Sequence, residues 1–398
     1  MNNHFKSELE QLPHELRLLL FFLKTEIDDD TISINKGLFK SINWGIFLEL
    51  AKHHRVYPII YKKVKKINEP SIPPFVLQSL HQEYQKNIFR MLSLSGEMET
   101  ISKIFADKKI HTLFLKGPVL ATDLYGDLSL RTSADLDILI PIKNLNQAEE
   151  ILLNDGYIKD DYILTVLNDW KWRHHHITFY HPLRKIKVEI HWRLNPGPAR
   201  EPRFSELWDR KRVSSLTSYP VYILGLEDLF LFLITHGARH GWSRLRWLVD
   251  IDQMVKKKID WEKIIRLLRK NHYLHLGGQS LFLASNLLNT KMPMEMTKIS
   301  HGNRTKRLAI DALFYIKQMV NLHSYPIPDE VSIYHKRHLI SLMSNQQKTI
   351  FVLSYLFPYP KDTEFFPLPK ILHFLYFPLR PLLVIGRKIR RRAITRRA

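Results

Sequence analysis

Leu115-Lys116-Gly117 and, a short way downstream, Arg131 followed by Asp135-Leu136-Asp137-Ile138-Leu139 decide the fold. Residues two apart on a strand share a face, so Asp135 and Asp137 stand together while Leu136 and Ile138 enter the core behind them. Neighbouring carboxylates repel unless a cation lies between them, and a pair of hard oxygens is what Mg²⁺ prefers. Upstream, the apolar run Thr112–Leu115 stops at Lys116-Gly117-Pro118, which reads as a strand passing into a helix with proline near its start. Downstream, His176–Tyr180 and Ile186–Trp192 flank the turn His181–Lys185, a hairpin whose second strand sets Glu189 between Val188 and Ile190. If that strand lies beside the Asp-x-Asp strand, three carboxylates converge, enough to hold two ions for an in-line phosphoryl displacement.

Around this centre the chain reads as helical. Leu12–Lys24 and Trp44–His53 carry apolar faces, and a longer helix follows Pro73-Pro74, with Leu77, Leu80, Tyr84, Ile88, Met91 and Met98 at helical spacing. Leu226, Leu229, Leu233, His236 and His240 share one helical face, a second helix runs from Ser243 to Lys257, and further helices fill 261–355. The expected organisation is α+β: a small mixed sheet over 111–200, helical regions over 1–110 and 201–355, and a Pro/aromatic segment with a basic tail over 356–398.

Composition narrows the function. The chain of 398 residues has no cysteine, which excludes disulfides, cysteine-ligated zinc fingers, iron–sulfur clusters and a thiol nucleophile, and fits a cytoplasmic address. Its net charge of +21 suggests polyanionic partners. Eight of those charges, Arg380, Arg387, Lys388, Arg390, Arg391, Arg392, Arg396 and Arg397, fall in the last nineteen residues with no acid among them. Beside Phe374, Tyr376 and Phe377 they predict contact with an anionic membrane surface, a peripheral attachment. Prolines and Arg380 interrupt the apolar run Ile371–Ile385, so no transmembrane helix is expected. No signal peptide is expected either, since Met1–Lys6 lacks the basic-apolar-small pattern.

The motifs resemble those of the DNA polymerase β-type nucleotidyltransferase superfamily, and most of all a branch known as the uncharacterised nucleotidyltransferase family. That branch has a strand ending in Leu-Lys-Gly, a helical Tyr, an Arg and Asp-x-Asp; here these are Leu115-Lys116-Gly117, Tyr125, Arg131, Asp135 and Asp137. Its later Glu-Ile-His-Trp strand matches Glu189-Ile190-His191-Trp192, the likeness continues through His236 and Arg244–Asp250, and upstream it takes in Trp44, Ala51 and His54-Arg55-Val56, covering most of 40–260. The resemblance implies a metal-dependent transfer of a nucleoside monophosphate from a triphosphate such as ATP to an acceptor hydroxyl. Asp135, Asp137 and Glu189 would hold two Mg²⁺ ions, Glu189 also helping to deprotonate the acceptor. Lys116, Gly117 and Arg131 would bind the nucleotide. Most of the superfamily has Gly-Ser where this chain has Lys116-Gly117, so Lys116 would replace a phosphate-binding serine as a point charge. The acceptor, whether a small metabolite, a peptide or protein side chain, or an RNA end, is not specified by any motif.

Two other readings stand beside this one. The chain is then a catalytically silent nucleotidyltransferase-like adaptor binding a peptide, protein or nucleotide, or a basic nucleic-acid- or membrane-surface-binding protein whose carboxylates are structural. His174-His175-His176, His191 and the pair His236/His240 are read as partly buried or phosphate-facing rather than as a transition-metal site. Arg246 and Asp250, four apart, are expected to pair along their helix, and Trp242 and Trp247 to be core.

Overall fold

The computed structural model describes residues 2–24, 29–67, 69–163, 165–322 and 326–395. Among them, seven strands form one mixed sheet: β1 (Leu113–Phe114), β2 (Asp135–Leu139), β3 (Ile158–Lys159), β4 (His176–His181), β5 (Ile186–His191), β6 (Arg212–Ser214) and β7 (Val221–Ile223). Their spatial order is β3-β4-β5-β2-β1-β7-β6. β2 and β5 are parallel neighbours at the centre, with Asp137 beside Glu189 and Asp135 beside Lys187. The hairpin expected from the sequence is β4–β5, and β1 runs antiparallel to β2. The protein is thus α+β, a mixed sheet set among helices. The sheet also reaches past residue 200, because β6 and β7 extend it beyond β1. Three-residue strands are too short to carry a period-two signal in the sequence.

One face of the sheet is its core. Leu136, Ile138, Val188 and Ile190 are fully buried against Met91, Leu94, Met98, Ile101 and Phe105 of the helix Pro74–Asp107. Each such side chain contributes roughly 1.5–3 kcal/mol on leaving water. A one-residue slip of β2 or β5 would exchange these aliphatics with the acids of the other face, so the apolar pattern fixes where the carboxylates point.

The helices before and after the sheet share a second core. Leu16, Leu19 and Phe22 of the helix His14–Leu23 belong to the same buried cluster as Phe230, Leu233 and Ile234 of Leu226–Arg239 and Leu281 and Leu283 of Leu274–Leu288. Lys317 and Glu8 pair at 2.6 Å between the two regions. The helices Leu226–Arg239 and Leu245–Val255 are thereby held where residues from both meet residues of the acidic face around one cavity.

The basic tail departs from the expectation of unopposed charge. A helix runs over Tyr376–Thr395, and both Arg380 and Arg387 pair with the fully buried Asp362. A buried carboxylate demands a cation, and these two arginines are consumed in supplying it. Tyr376 is buried as well; its hydroxyl accepts from the Leu368 N–H at 2.8 Å and donates to the Phe366 carbonyl at 2.7 Å. The side chains of Lys388, Arg390, Arg391 and Arg392, and all of Arg396 and Arg397, lie outside the described residues. No described helix is long and apolar enough to cross a membrane.

Candidate active site

A cavity of about 460 Å³ opens along the acidic face of the sheet. From β2 it receives Asp135 and Asp137; from β5, Lys187, Glu189 and His191; from the end of β1, Lys116. Phe232, His236 and Arg239 reach it from the helix Leu226–Arg239, Arg246 and Trp247 from Leu245–Val255, and Arg55 and Arg244 from the loops nearby.

Asp137 is completely buried. Its Oδ1 forms an ion pair with Lys116 Nζ at 3.0 Å and lies 3.2 Å from His191 Nε2. Burial alone would raise its pKa, but Lys116 and His191 overcome that and hold it below the ordinary aspartate value. Its other oxygen, Oδ2, is buried with no hydrogen-bond partner among the described residues. Glu189 behaves alike: burial acts upward, and His191, His176 and Lys187 together carry its pKa down. Lys187 Nζ lies 2.7 Å from Glu189 Oε1 and 3.2 Å from Asp135 Oδ2, bridging the two. Burial would depress Lys187, yet these two carboxylates raise it. All three acids are therefore matched to cationic or protonatable partners.

Asp137, Glu189 and His191 each bring a donor atom within 4.8 Å of one another. Two carboxylates and an imidazole make a chemically sound donor set for a divalent cation, and the orphaned Asp137 Oδ2 offers a lone pair that no protein group uses. The residues fit such an ion. His175 and His176 crowd the same corner, forming a second group with His191. His176 is pushed down to about 3, mainly by burial and then by His191, so it is neutral at physiological pH.

Cations dominate the rest of the lining. Burial, and then Arg55, bring Arg244 down to about 10. Arg246 falls to about 9 through burial, Arg131 and Arg55, and Arg239 to about 10 through burial. Guanidiniums crowded together away from water favour the arrival of an anion. Gly117 starts the helix Pro118–Tyr125 next to Lys116 with φ +84°, a conformation that side-chain-bearing residues rarely adopt.

The family model described as an uncharacterised nucleotidyltransferase matches residues 40–289, well over half of the chain, and takes in every strand and the whole lining of this cavity. The chain belongs to the uncharacterised nucleotidyltransferase family. None of the curated proteins matches it.

Within this nucleotidyltransferase fold, Asp135, Asp137, Glu189 and Lys116 come together as the sequence suggested, and Gly117 adjoins them. Arg131 does not join them. Its guanidinium, 1% exposed, closes on Asp250 through Nε at 2.9 Å and Nη2 at 3.0 Å, and the Tyr125 hydroxyl donates to the same carboxylate at 2.7 Å. Arg131 and Tyr125 thus tie the loop before β2 and the helix after β1 to the helix Leu245–Val255, and Arg131 does not line the cavity. Asp250 is correspondingly not the helical partner of Arg246, which donates instead to the Thr132 carbonyl and, at 2.7 Å, to its hydroxyl. Trp242 and Trp247 are buried, as expected of core, although Trp247 also borders the cavity. Arg55, Arg239 and Arg244 were missed as site residues. Arg55 and Arg244 were legible only as part of the family likeness, and an arginine on a helix or loop ordinarily reads as surface.

Proposed function

We propose that the chain is a divalent-cation-dependent nucleotidyltransferase moving a nucleoside monophosphate from a triphosphate to an acceptor hydroxyl. One observation carries this reading: Asp137 stands beside Glu189 in a cavity whose other charged lining is Asp135 and six basic side chains. Asp137 and Glu189, with Asp135 nearby, would hold the cation, Mg²⁺ being the expected one. When bound, it supplies charge neutralisation for the triphosphate and polarises the phosphoryl group under attack. Lys116, Arg55, Arg244 and Arg246 bind and orient the triphosphate oxygens. The acceptor oxygen attacks the α-phosphorus in line, the bond to the bridging oxygen breaks, and pyrophosphate leaves. Glu189 receives the hydroxyl proton and passes it to solvent. Positioning and charge stabilisation do most of this work.

The test is ligand-linked stability followed by transfer. A ligand at a hundredfold its Kd stabilises by about 2.7 kcal/mol, which for 398 residues amounts to about 3 °C in Tm. Triphosphate with Mg²⁺ should give this shift, triphosphate alone much less, and Asp137→Asn should remove the difference. Because Asp137 is buried and paired, each protein is compared with its own ligand-free form. Equal shifts in wild type and Asp137→Asn would sink the proposal. A silent nucleotide-binding adaptor is the second reading, favoured by Lys187 already bridging Asp135 and Glu189. Mass spectrometry of extract incubated with protein, Mg²⁺ and each triphosphate separates the two. The transferase adds one nucleoside monophosphate to an acceptor, and Glu189→Gln lowers the rate by at least about 10²-fold. The adaptor adds none.

A further inference from the structure

A second cavity, about 480 Å³, shares Arg239 with the first. Two elements run from one cavity to the other. On the segment leaving β5, His191 and Leu194 line the catalytic cavity and Asn195 to Ala199 line the second. On the helix Leu226–Arg239, His236 faces the first, Thr235 the second, and Arg239 both. The opposite wall comes from Leu339, Ile340 and Met343 with Phe351 and Tyr355, all beyond the span the family model matches.

The two cavities differ in chemistry. The first is lined by nine acidic or basic side chains and five histidines. In the second, the charged lining residues are Arg239 and Lys336, both basic, and most of the remainder is apolar or aromatic. Its size suits the body of a drug-sized molecule. Arg239 Nε is buried without a hydrogen-bond partner. A guanidinium in that condition gains most from an anionic oxygen, through a charge-assisted bond. Asp137 and Glu189 attract Arg239 from the catalytic side, but no hydrogen bond or ion pair between Arg239 and either carboxylate occurs among the described residues.

We propose that the second cavity seats the body of the nucleotidyl acceptor: a small amphipathic molecule whose apolar part lies against Leu339, Ile340 and Phe351. An anionic group near its reactive hydroxyl pairs with Arg239 where the two cavities meet. This rests on the transferase reading and adds the acceptor's chemical class to it. A sugar-like metabolite would leave unused the apolar side chains that make up most of this lining, and an RNA end would need more than two cations. An apolar body with one negative charge matches both the lining and the unpartnered Nε.

Sodium decanoate and decyltrimethylammonium, each below its micellar concentration, are the probes, titrated calorimetrically into the full chain. Decanoate should bind saturably at one site, and the cationic amphiphile at least about tenfold more weakly, the scale of a charge-assisted hydrogen bond. Ile340 is 40% exposed, so Ile340→Trp adds bulk to the cavity without emptying the core. It should weaken decanoate at least about tenfold while leaving the Mg²⁺-dependent triphosphate shift intact. Lys336→Glu, at an exposed position, serves if the first variant fails to fold and should weaken decanoate a few-fold. Equal binding of the two amphiphiles, or undiminished decanoate binding in the folded variants, overturns the proposal. A wild-type chain with the triphosphate shift but no decanoate binding overturns the acceptor assignment alone. One that binds decanoate and shows no such shift overturns the acceptor role and the transferase reading together.

Discussion

Asp250→Ala distinguishes an arginine that braces the fold from one that holds a phosphate. In the wild type, Asp250 accepts two hydrogen bonds from Arg131 and one from Tyr125, and both members of the ion pair are at most 1% exposed. Removing the carboxylate leaves the buried guanidinium with little beyond the Thr132 carbonyl at 3.5 Å and takes away the Tyr125 acceptor. Breaking a buried pair from one side costs about 3–5 kcal/mol. An unfolding entropy of about 2.1 cal/mol/K per residue gives about 0.8 kcal/mol/K for 398 residues. The variant should therefore melt about 5 °C lower, as read by calorimetry. Replacing both partners, Arg131→Met with Asp250→Leu, should recover most of the loss, since a buried ion pair exchanged for packed apolar groups is often neutral. The double variant should also keep the triphosphate-linked shift. An Arg131→Met protein that melts like the wild type but no longer responds to Mg²⁺ and triphosphate would refute the brace and return Arg131 to the nucleotide.

Two further outcomes follow from single sites. His275 is held neutral, its pKa brought down from 6.5 to about 4 mainly by burial, so between those pH values the unfolded chain binds a proton the folded chain refuses. Its contribution is full above about pH 6.5 and is lost as pH falls towards 4, by about 3 kcal/mol; Tm against pH should fall less steeply in His275→Gln, and parallel curves would dismiss the assignment. At Gly117 an added Cβ meets only ordinary contacts, the nearest being the Asp135 carbonyl at 3.5 Å, so the cost of Gly117→Ala lies in its φ of +84°. About 1–3 kcal/mol of strain should appear as a lower Tm together with a weaker triphosphate shift; an unchanged melting curve would mean that the turn relaxes freely.

The sheet's acidic face was legible because strand periodicity is short-range. Leu136 and Ile138 between and beyond two aspartates, and Val188 and Ile190 around Glu189, fix which way each carboxylate points, and the observed pairing of Asp137 with Glu189 follows once β2 and β5 lie together. The partner of Arg131 was not legible. Asp250 lies 119 residues away, and local spacing suggested Arg246 as its mate. The same holds for Asp362, whose cations Arg380 and Arg387 read as free tail charge until the helix Tyr376–Thr395 folds back on it. The arginines of the cavity were hidden for another reason. No local spacing around Arg55 or Arg239 places it at a cavity; that depends on helices from both ends of the chain sharing one core.

The electrostatics of the cavity explain why the cation and the triphosphate belong in one test. Asp137, Glu189 and Asp135 are answered by the cations Lys116 and Lys187 and by the His191 imidazole, all of which also border the space a ligand would fill. Meanwhile Arg239, Arg244 and Arg246 have their pKa values drawn down by burial. A bare triphosphate would gain from the arginines but meet the carboxylates; a bare cation would gain from the carboxylates but meet the lysines. The complex of the two would offer each half of the cavity the charge it lacks, and would let Lys116 and Lys187 turn from the acids towards phosphate oxygens. The stabilisation by cation and triphosphate together should for that reason exceed the sum of their separate effects, because each relieves the repulsion that opposes the other.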